Sequence, residues 1–245
     1  MSPGRKPRAK RNTLIWERPE PAHRPRSVPL SREAIARTAV SLADKKGLDA
    51  VSLRTVATAL KVDPKRLRGH VLSKEELLEL MVDEVHAETA ADGRPPGDWR
   101  EVLRAFAHQS RHAALKHPWL VDLWGGRPQL GPHALAAREA ALAALGDLPG
   151  FEDINTVLFA LRTVGAYTMG AMQTEISELR YAFGSGKTQT QWRSTMMPYL
   201  QRMLATGQFP NVVRLTQDAA DLPLDVEFEK GLDCVLDGIA ARRSR

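Results

Sequence analysis

Apolar residues recur three or four positions apart along most of this chain, which is the period of an amphipathic helix. One such stripe, in residues 31–47, contains Ile35, Ala39 and Leu42. A second, in residues 52–60, contains Leu53, Val56, Ala57 and Leu60. No stretch alternates apolar and polar residues over the length of a strand. The pattern therefore predicts an all-α fold.

Residues 52–74 predict two short helices joined by a tight turn. The turn falls at Lys61 and Val62, and Asp63 is a good N-cap before Pro64 at the first helical position. From Arg54 to Lys74 there are six Lys or Arg residues and one acid. A basic second helix after a sharp turn is typical of a helix-turn-helix unit that reads DNA. The alternative is an ordinary helical hairpin with a solvated basic face.

The flanking sequence favours the DNA-binding interpretation. A helix is predicted from Ser31 to Gly47, where the glycine ends it. Ser73 and Glu76 form a capping box that opens a further helix. The hairpin thus supplies the second and third helices of a three-helix unit, and a fourth helix leads away from it.

This unit resembles the DNA-binding domain of the TetR (tetracycline-repressor) family. The matching strings are AIARTAVSLADKKGLDAVSLRTVATALKV and GHVLSKEELLELMVDEV, and FEKGLDCVLDGIA and TGQFP resemble C-terminal segments of the family. Two positions depart from the family pattern. Lys61 stands where the turn usually has Gly, and Arg68-Gly69 replaces the aromatic residue that contacts phosphate. Arg68 could supply a charge in place of that contact.

The basic helix and its flanks predict the DNA-binding residues. We expect Lys65 and Arg66 to contact base edges, and Arg54, Arg68 and Lys74 to contact phosphates. The full predicted set is Ser52, Arg54, Pro64, Lys65, Arg66, Arg68, Gly69, His70 and Lys74.

The C-terminal part is predicted to hold further helices, the longest at residues 153–179 and the last at residues 224–241. The last helix carries an apolar seam with heptad-like spacing, made by Phe228, Leu232, Val235 and Ile239. A helix at residues 191–206 is expected to turn Trp192, Met196, Leu200 and Met203 inward. The family resemblance implies that the chain is a homodimer joined through the long helix and the last helix. We expect the apolar seam of the last helix to form this contact, with Leu232 at its centre on the two-fold axis.

The net charge of +6 is concentrated at the N-terminus, where residues 1–30 hold eight Lys or Arg residues and two acids. This asymmetry fits a polyanionic partner such as DNA. Residues 1–27 are interpreted either as a disordered solubilising tail or as an arm that follows phosphates or lies in a minor groove. The one cysteine, Cys234, excludes an intramolecular disulfide, and no apolar run is long enough for a membrane span. The expected location is the cytoplasm, with no membrane partner.

Catalytic motifs are not found, so an enzyme is not predicted. The string GSGKT at residues 184–188 has Tyr181 where a phosphate-binding loop needs its first Gly. His108 and His112 have a metal-compatible spacing, but no Glu or Cys completes the pattern, and neither a metal nor a cofactor is predicted. The resemblance implies a ligand cavity between the C-terminal helices. The residues predicted to line it are His112, Trp119, Trp124, Arg127, Met169, Gln173, Trp192 and Met196.

These observations predict a basic arm at residues 1–27, a helix-turn-helix domain at 28–80 and a larger helical ligand-binding and dimerisation domain at 81–245. The predicted function is a transcriptional regulator, a repressor that a small-molecule effector releases from a palindromic double-stranded DNA operator. Two alternatives remain at this point. One is a constitutive DNA-binding regulator without a ligand, and the other is a helical metabolite-binding protein or enzyme.

Overall fold

The computed structural model describes residues 13–21, 30–89, 97–125, 129–185 and 189–243. Within those ranges all the regular structure is helical, which confirms the predicted fold class. The helices are α1 (Arg32–Lys46), α2 (Leu53–Ala59), α3 (Pro64–His70), α4 (Lys74–Thr89), α5 (Trp99–Lys116), α6 (Pro132–Gly146), α7 (Ile154–Ser185), α8 (Gln189–Leu204), α9 (Pro210–Asp218) and α10 (Leu224–Arg243). Short 3₁₀ turns occupy Ile15–Glu17, Leu48–Ala50 and Pro118–Asp122.

The chain divides into two compact units. The first comprises residues 1–94 and 122–143, and the second comprises residues 95–121 and 144–245. Most of helix α6 therefore belongs to the first unit, although α6 follows α5 of the second unit in the sequence. The three predicted domains, with a boundary at residue 80, stay a prediction.

In the first unit, three helices pack around an apolar core. Ile35 of α1, Val56 of α2 and Leu67 of α3 are all fully buried. Helix α1 packs against both α2 and α4, and α2 packs against α3. Burying a side chain of this size stabilises the fold by about 1.5–3 kcal/mol. These few contacts hold the two short helices, which would not be stable alone.

The turn between α2 and α3 is closed by a left-handed residue. Lys61 has a φ of 55°, the one positive φ among the described residues other than glycine. The N–H of Val62 donates to the carbonyl oxygen of Ala57 at 3.0 Å, and the N–H of Lys61 donates to that of Thr58 at 3.1 Å. Because a side chain strains this conformation, the turn explains why glycine is the usual residue here.

In the second unit, α7 packs against α5 on one side and α10 on another. Tyr167 of α7 donates its hydroxyl to the carbonyl oxygen of Phe228 at 2.7 Å. A Cβ atom on Gly231 would stand 2.3 Å from the same hydroxyl, so α10 approaches α7 closely at this glycine. The close helix contact is therefore at Gly231, whereas a Cβ on Gly170 would meet open space.

The predicted dimer seam of the last helix has a different partner. Phe228, Leu232 and Ile239 are buried inside their own protomer, with Leu232 fully buried. Placing Leu232 at a two-fold axis is therefore wrong. Its helix is amphipathic, and the apolar stripe that the sequence shows belongs to the core of its own unit.

An ionic ladder joins α5 to α10. The guanidinium of Arg100 contacts Asp237 at 2.8 Å, Arg104 contacts Asp233 and Glu229, and His108 lies 3.2 Å from Glu229. These side chains repeat one turn apart on each helix. His108 therefore faces a carboxylate across the helix pair.

Helices α8 and α9 pack against each other. Trp192 and Met196 are 43% and 41% exposed, which contradicts the prediction that both point inward along α8. Pro198 lies inside α8, and α9 begins at Pro210, a helix that the apolar pattern did not predict. On α9, Val212 and Leu215 are also exposed. The hairpin of α8 and α9 thus presents apolar side chains to solvent in the single chain.

Candidate nucleic-acid interface

Helix α2 begins with a reciprocal cap. The hydroxyl of Ser52 accepts the N–H of Thr55 at 3.1 Å, and the hydroxyl of Thr55 accepts the N–H of Ser52 at 2.9 Å. Ser52, one of the predicted DNA-binding residues, therefore has its hydroxyl engaged at the start of the helix. Arg54, the second residue of α2, is exposed.

Helix α3 is held by its cap and by one buried residue. The carboxylate of Asp63 accepts the N–H of Lys65 at 2.7 Å, and Pro64 occupies the first helical position. Leu67 is fully buried against the unit and fixes which face of α3 points away. Pro64, Lys65, Arg68 and Gly69 are then exposed, and Arg66 is half-buried.

The outward face of α3 is consequently cationic. Lys65, Arg66 and Arg68 lie on it, and the first turn of α4 adds the exposed Lys74. A short, capped helix that presents Arg and Lys can enter the major groove, where these side chains donate to guanine O6 and N7. The predicted base and phosphate contacts stay predictions.

His70 requires a correction. It was expected on the DNA surface, but its side chain is 4% exposed and its Nδ1 has no hydrogen-bond partner. Burial holds the pKa of this imidazole below its usual value. Because His70 follows the buried Leu67 by three residues, the two side chains lie on the same face of α3, and the ring points into the unit rather than toward DNA.

The predicted ligand-pocket residues lie on several elements. Trp119 is buried in the 3₁₀ turn after α5, Met169 on α7 and Trp124 are half-buried, and His112 on α5 and Gln173 on α7 are exposed. Arg127 lies outside the described residues. Trp192 and Met196 lie on α8 and are exposed. Trp124 belongs to the first unit, whereas the other described residues of the set belong to the second. The pocket stays a prediction.

The role of one buried acid on α4 was not predicted from the sequence. The carboxylate of Asp83, 5% exposed, accepts the N–H of Ala134 at 2.9 Å and lies 2.9 Å from Nδ1 of His133. A Cβ on Gly131 would stand 2.1 Å from this carboxylate. Asp83 thus caps the N-terminus of α6 from another helix. An acid inside the apolar string LELMVDEV was the available signal.

No helix within the described part of the chain is long and apolar enough to cross a membrane.

The comparisons with known proteins agree with this geometry. A family model described as "Tetracyclin repressor-like, C-terminal domain" matches residues 92–243. The HTH-type transcriptional repressor DrrR1 of Streptomyces coeruleorubidus is 31% identical over 228 residues, covering 92% of this chain and 83% of that protein. Two crystal structures of the Streptomyces coelicolor protein ActR are also similar. The apo form has a TM-score of 0.74 at 27% identity, covering 89% of this chain and 98% of ActR.

The second ActR structure is a complex with actinorhodin, described as that of a TetR family protein. It has a TM-score of 0.73 at 28% identity and covers 88% of this chain and 97% of ActR. Both the family model and the relative extend over most of the chain. The chain therefore belongs to the TetR family of transcriptional regulators.

Proposed function

We propose that this protein is a homodimeric repressor that binds a palindromic DNA operator through α3 and leaves it when a small molecule binds the C-terminal helices. The observation that carries the proposal is the cationic face of α3, held outward by the Asp63 cap and the buried Leu67. Lys65 and Arg66 contact base edges, while Arg54, Arg68 and Lys74 contact phosphates. Family membership supports regulation rather than catalysis.

The dimer forms through the outward faces of α7 and α10. Phe159 of α7 is 45% exposed, and the guanidinium of Arg242 on α10 lies 4.6 Å from its ring centroid. Gly170 and Gly238 both face open space, and Cys234 is exposed. Small residues on two neighbouring helices allow close approach of the same helices from a second copy. A two-fold axis there gives an isologous four-helix contact.

This dimer positions two copies of α3 for one operator. Two-fold symmetry requires inverted half-sites. Because both copies of α3 enter the major groove on one face of the duplex, those half-sites lie about 34–36 Å apart, one turn of DNA, or a multiple of that distance. A single half-site offers too few contacts for tight binding, so operator affinity depends on dimerisation.

The effector is a small molecule bound in the second unit. The ActR complex with actinorhodin supports this part of the proposal, because ActR matches this chain over nearly its whole length. Actinorhodin therefore serves as the first probe of effector binding. An effector releases DNA only to the extent that its affinity differs between the DNA-bound and the released conformations.

Fluorescence anisotropy with duplexes from the DNA that flanks the gene tests the proposal. We expect nanomolar binding to one duplex, at least about 10³-fold weaker binding to a duplex of scrambled sequence, and a steep salt dependence. Actinorhodin and (S)-DNPA, the two compounds bound in the ActR complexes, are then titrated into the complex. Binding that no compound reverses would indicate a constitutive regulator, and no duplex binding at all would overturn the proposal.

A further inference from the structure

Residues 13–21, here called the strap, precede α1 and pack on the first unit. Ile15 opens the 3₁₀ turn Ile15–Glu17, and its side chain is only 1% exposed. The carboxylate of Glu17 accepts the N–H of Leu14 at 3.2 Å, which closes that turn. The strap is therefore anchored by an apolar contact of its own, and the residues after Ile15 start from a fixed point on the unit.

The two ends of α3 are held in different ways. At the start, the carboxylate of Asp63 supplies a local cap. At the end, the Nε of Arg32, the first residue of α1, donates to the carbonyl oxygen of His70 at 3.3 Å. The last carbonyl oxygens of a helix have no partner inside it, and a cation suits them because the helix dipole is negative at this end. Arg32 thus caps α3 from another helix.

The strap holds Arg32 in the orientation that this cap requires. The Nη1 of Arg32 donates to the carbonyl oxygen of Arg18 at 2.8 Å, and the carboxylate of Glu20 accepts the backbone N–H of Arg32 at 2.7 Å. Because a guanidinium is planar and rigid, bonds at Nη1 and Nε together fix its plane. One of these bonds goes to the strap and the other goes to α3, so Arg32 joins the two segments.

A largely buried ion pair joins the strap to the turn that follows α3. The guanidinium of Arg18 donates to Glu76 at 2.6 Å, and both side chains are only 19% exposed. The same oxygen of Glu76 accepts the N–H of Leu72 at 2.7 Å. A Cβ on Gly69 would lie 3.7 Å from the ring of Pro21. The strap therefore lies beside the last turn of α3 and beside the turn that leads into α4.

Helix α3 needs support at this end because it is short. It has seven residues, and isolated helices of fewer than about 12 residues are marginal in water. Its inward face is anchored by one row of buried side chains, Leu67 and His70. A single row opposes tilting and rotation only weakly, whereas a binding site must be held within about 0.5 Å of its productive geometry. Bonds at the end of the helix supply the missing restraint.

We propose that Arg32 and Arg18 are positioning residues for operator recognition, because through the strap they fix the end of α3 and so the placement of its outward face against the bases. Neither side chain touches DNA in this role. The inference rests on the proposed function in one respect, that α3 reads the operator. It predicts a selective loss, because a displaced α3 loses base contacts while phosphate contacts still hold DNA of any sequence.

The test measures binding of the full chain and its variants to the operator duplex and to a scrambled duplex from about 50 to 200 mM salt. Arg32→Ala should weaken operator binding at least about tenfold, the size of one lost base contact, and scrambled binding less than about twofold. Arg18→Ala should weaken operator binding by a smaller factor of about three to five, because Arg32 keeps its bond to His70. The salt slope should change by less than about 0.3 in both variants.

Conservative substitutions separate geometry from charge. Arg32→Lys keeps the charge but has no planar pair of donors for two carbonyl oxygens, so it should show most of the loss of Arg32→Ala. Arg18→Lys should recover most of the operator affinity, because an ammonium can still pair with Glu76. The opposite results expected from the same Arg-to-Lys change at neighbouring positions follow from the hydrogen bonds that each guanidinium makes.

A matched control separates positioning from stability. Arg37→Ala removes an arginine of α1 whose ion pairs within the described residues are with Glu33 and Glu84. It should change the affinity for either duplex by less than about twofold. Circular dichroism gives the folded fraction of every variant at the binding temperature, and a fraction above about 99% leaves the apparent affinity unaltered.

Hydrogen exchange reports on the end of α3 without DNA. The amide of Val71 donates to the carbonyl oxygen of Leu67 at 3.1 Å, and its exchange follows local opening of the last turn. This exchange should become faster in Arg32→Ala and in Arg18→Ala, and it should stay unchanged in Arg37→Ala. If Arg32→Ala does not fold, Arg18→Ala and Arg18→Lys decide the same question.

Equal losses on the two duplexes with a salt slope reduced by about 0.9 would overturn the proposal, because Arg32 would then bind a phosphate itself. Full recovery in Arg32→Lys, or a loss of the same size in Arg37→Ala, would overturn it as well. In each of these cases the proposed function stands, because the unmodified chain still binds its operator selectively. An unmodified chain that binds neither duplex contradicts both.

Discussion

The first unit and the helices α7 and α10 differ in how their sequence determines their structure. In the first unit, each short helix begins or ends at a residue with a local chemical role, such as the caps Ser31, Ser52 and Asp63. Helix α7 also begins at a cap, since the carboxylate of Asp153 accepts the N–H of Thr156 at 3.0 Å, but no local residue marks the partner of the long amphipathic stripes in α7 and α10. The face that packs inside the protomer and the face available to a second copy are distinguished only by the tertiary structure.

That difference shows which properties a local pattern can determine. A cap or a left-handed turn depends on three to five consecutive residues, so it is visible in the sequence. The partner of an apolar stripe depends on the rest of the fold, so the heptad-like spacing of Phe228 and Leu232 could not distinguish a core from a dimer seam. Two substitutions on α10 test this distinction directly.

Leu232→Asp should unfold the second unit. It removes a fully buried side chain and buries a charge without a partner, with an expected loss of more than about 4 kcal/mol. Thermal unfolding followed by circular dichroism measures the loss. A folded protein with a normal melting temperature would show that Leu232 is exposed in the single chain and available to a dimer seam.

Gly238→Arg should give a folded protein that does not dimerise. Its Cβ meets open space in the single chain, and Arg favours a helix by about 1 kcal/mol relative to Gly. In the proposed dimer, the substitution places two guanidinium groups near the two-fold axis. Sedimentation should show a monomer, and operator affinity should fall at least about 100-fold. A stable dimer would place the interface elsewhere.

Asp83→Ala should weaken the attachment of α6 to α4. The N–H of Ala134 loses its buried acceptor, which costs about 1–3 kcal/mol. Chemical denaturation followed by intrinsic fluorescence gives the free energy of unfolding. Glu75→Ala, at an exposed position on the same helix, is the matched control and should change it by less than about 1 kcal/mol. Equal effects would show that the cap contributes nothing.

Lys61→Gly should stabilise the first unit by about 1 kcal/mol, because glycine adopts a φ of 55° without strain. The melting temperature should rise by a few degrees and operator binding should be unchanged. The comparison variant, Lys46→Gly, removes an exposed lysine from the last turn of α1 and should destabilise the unit. A loss of stability in Lys61→Gly would show that this turn carries no strain.

Much of the first unit was predictable, and the exceptions have physical causes. The Asp63 cap, Pro64 and the buried Leu67 are local features, and the structure contains all three. The burial of His70 is an exception that had a local signal, because His70 follows the buried Leu67 by three residues, the spacing of one helix face. The roles of Ile15 and Asp83 depend on contacts with residues 50 or more positions away, or on a distant apolar surface.

The ligand pocket was the least predictable part. Trp192 and Met196 have helical spacing and apolar character, which equally fit a core, a pocket and a surface covered by another chain. Their exposure on α8 shows that spacing alone cannot separate these cases. The predicted residues are spread over several elements of both units, and a set spread in this way leaves no periodic signal in the sequence.

The most direct test of the central claim, that the cationic face of α3 reads DNA, compares two pairs of substitutions within one unit. Lys65→Ala with Arg66→Ala should lower operator affinity about 10²-fold or more and abolish the preference over scrambled duplex, since each base contact is worth about 1–3 kcal/mol. Lys45→Ala with Lys46→Ala removes the same charge from the exposed end of α1 and should cost less than about threefold. Equal losses in the two pairs, with selectivity retained, would contradict the assignment of α3 as the reading helix.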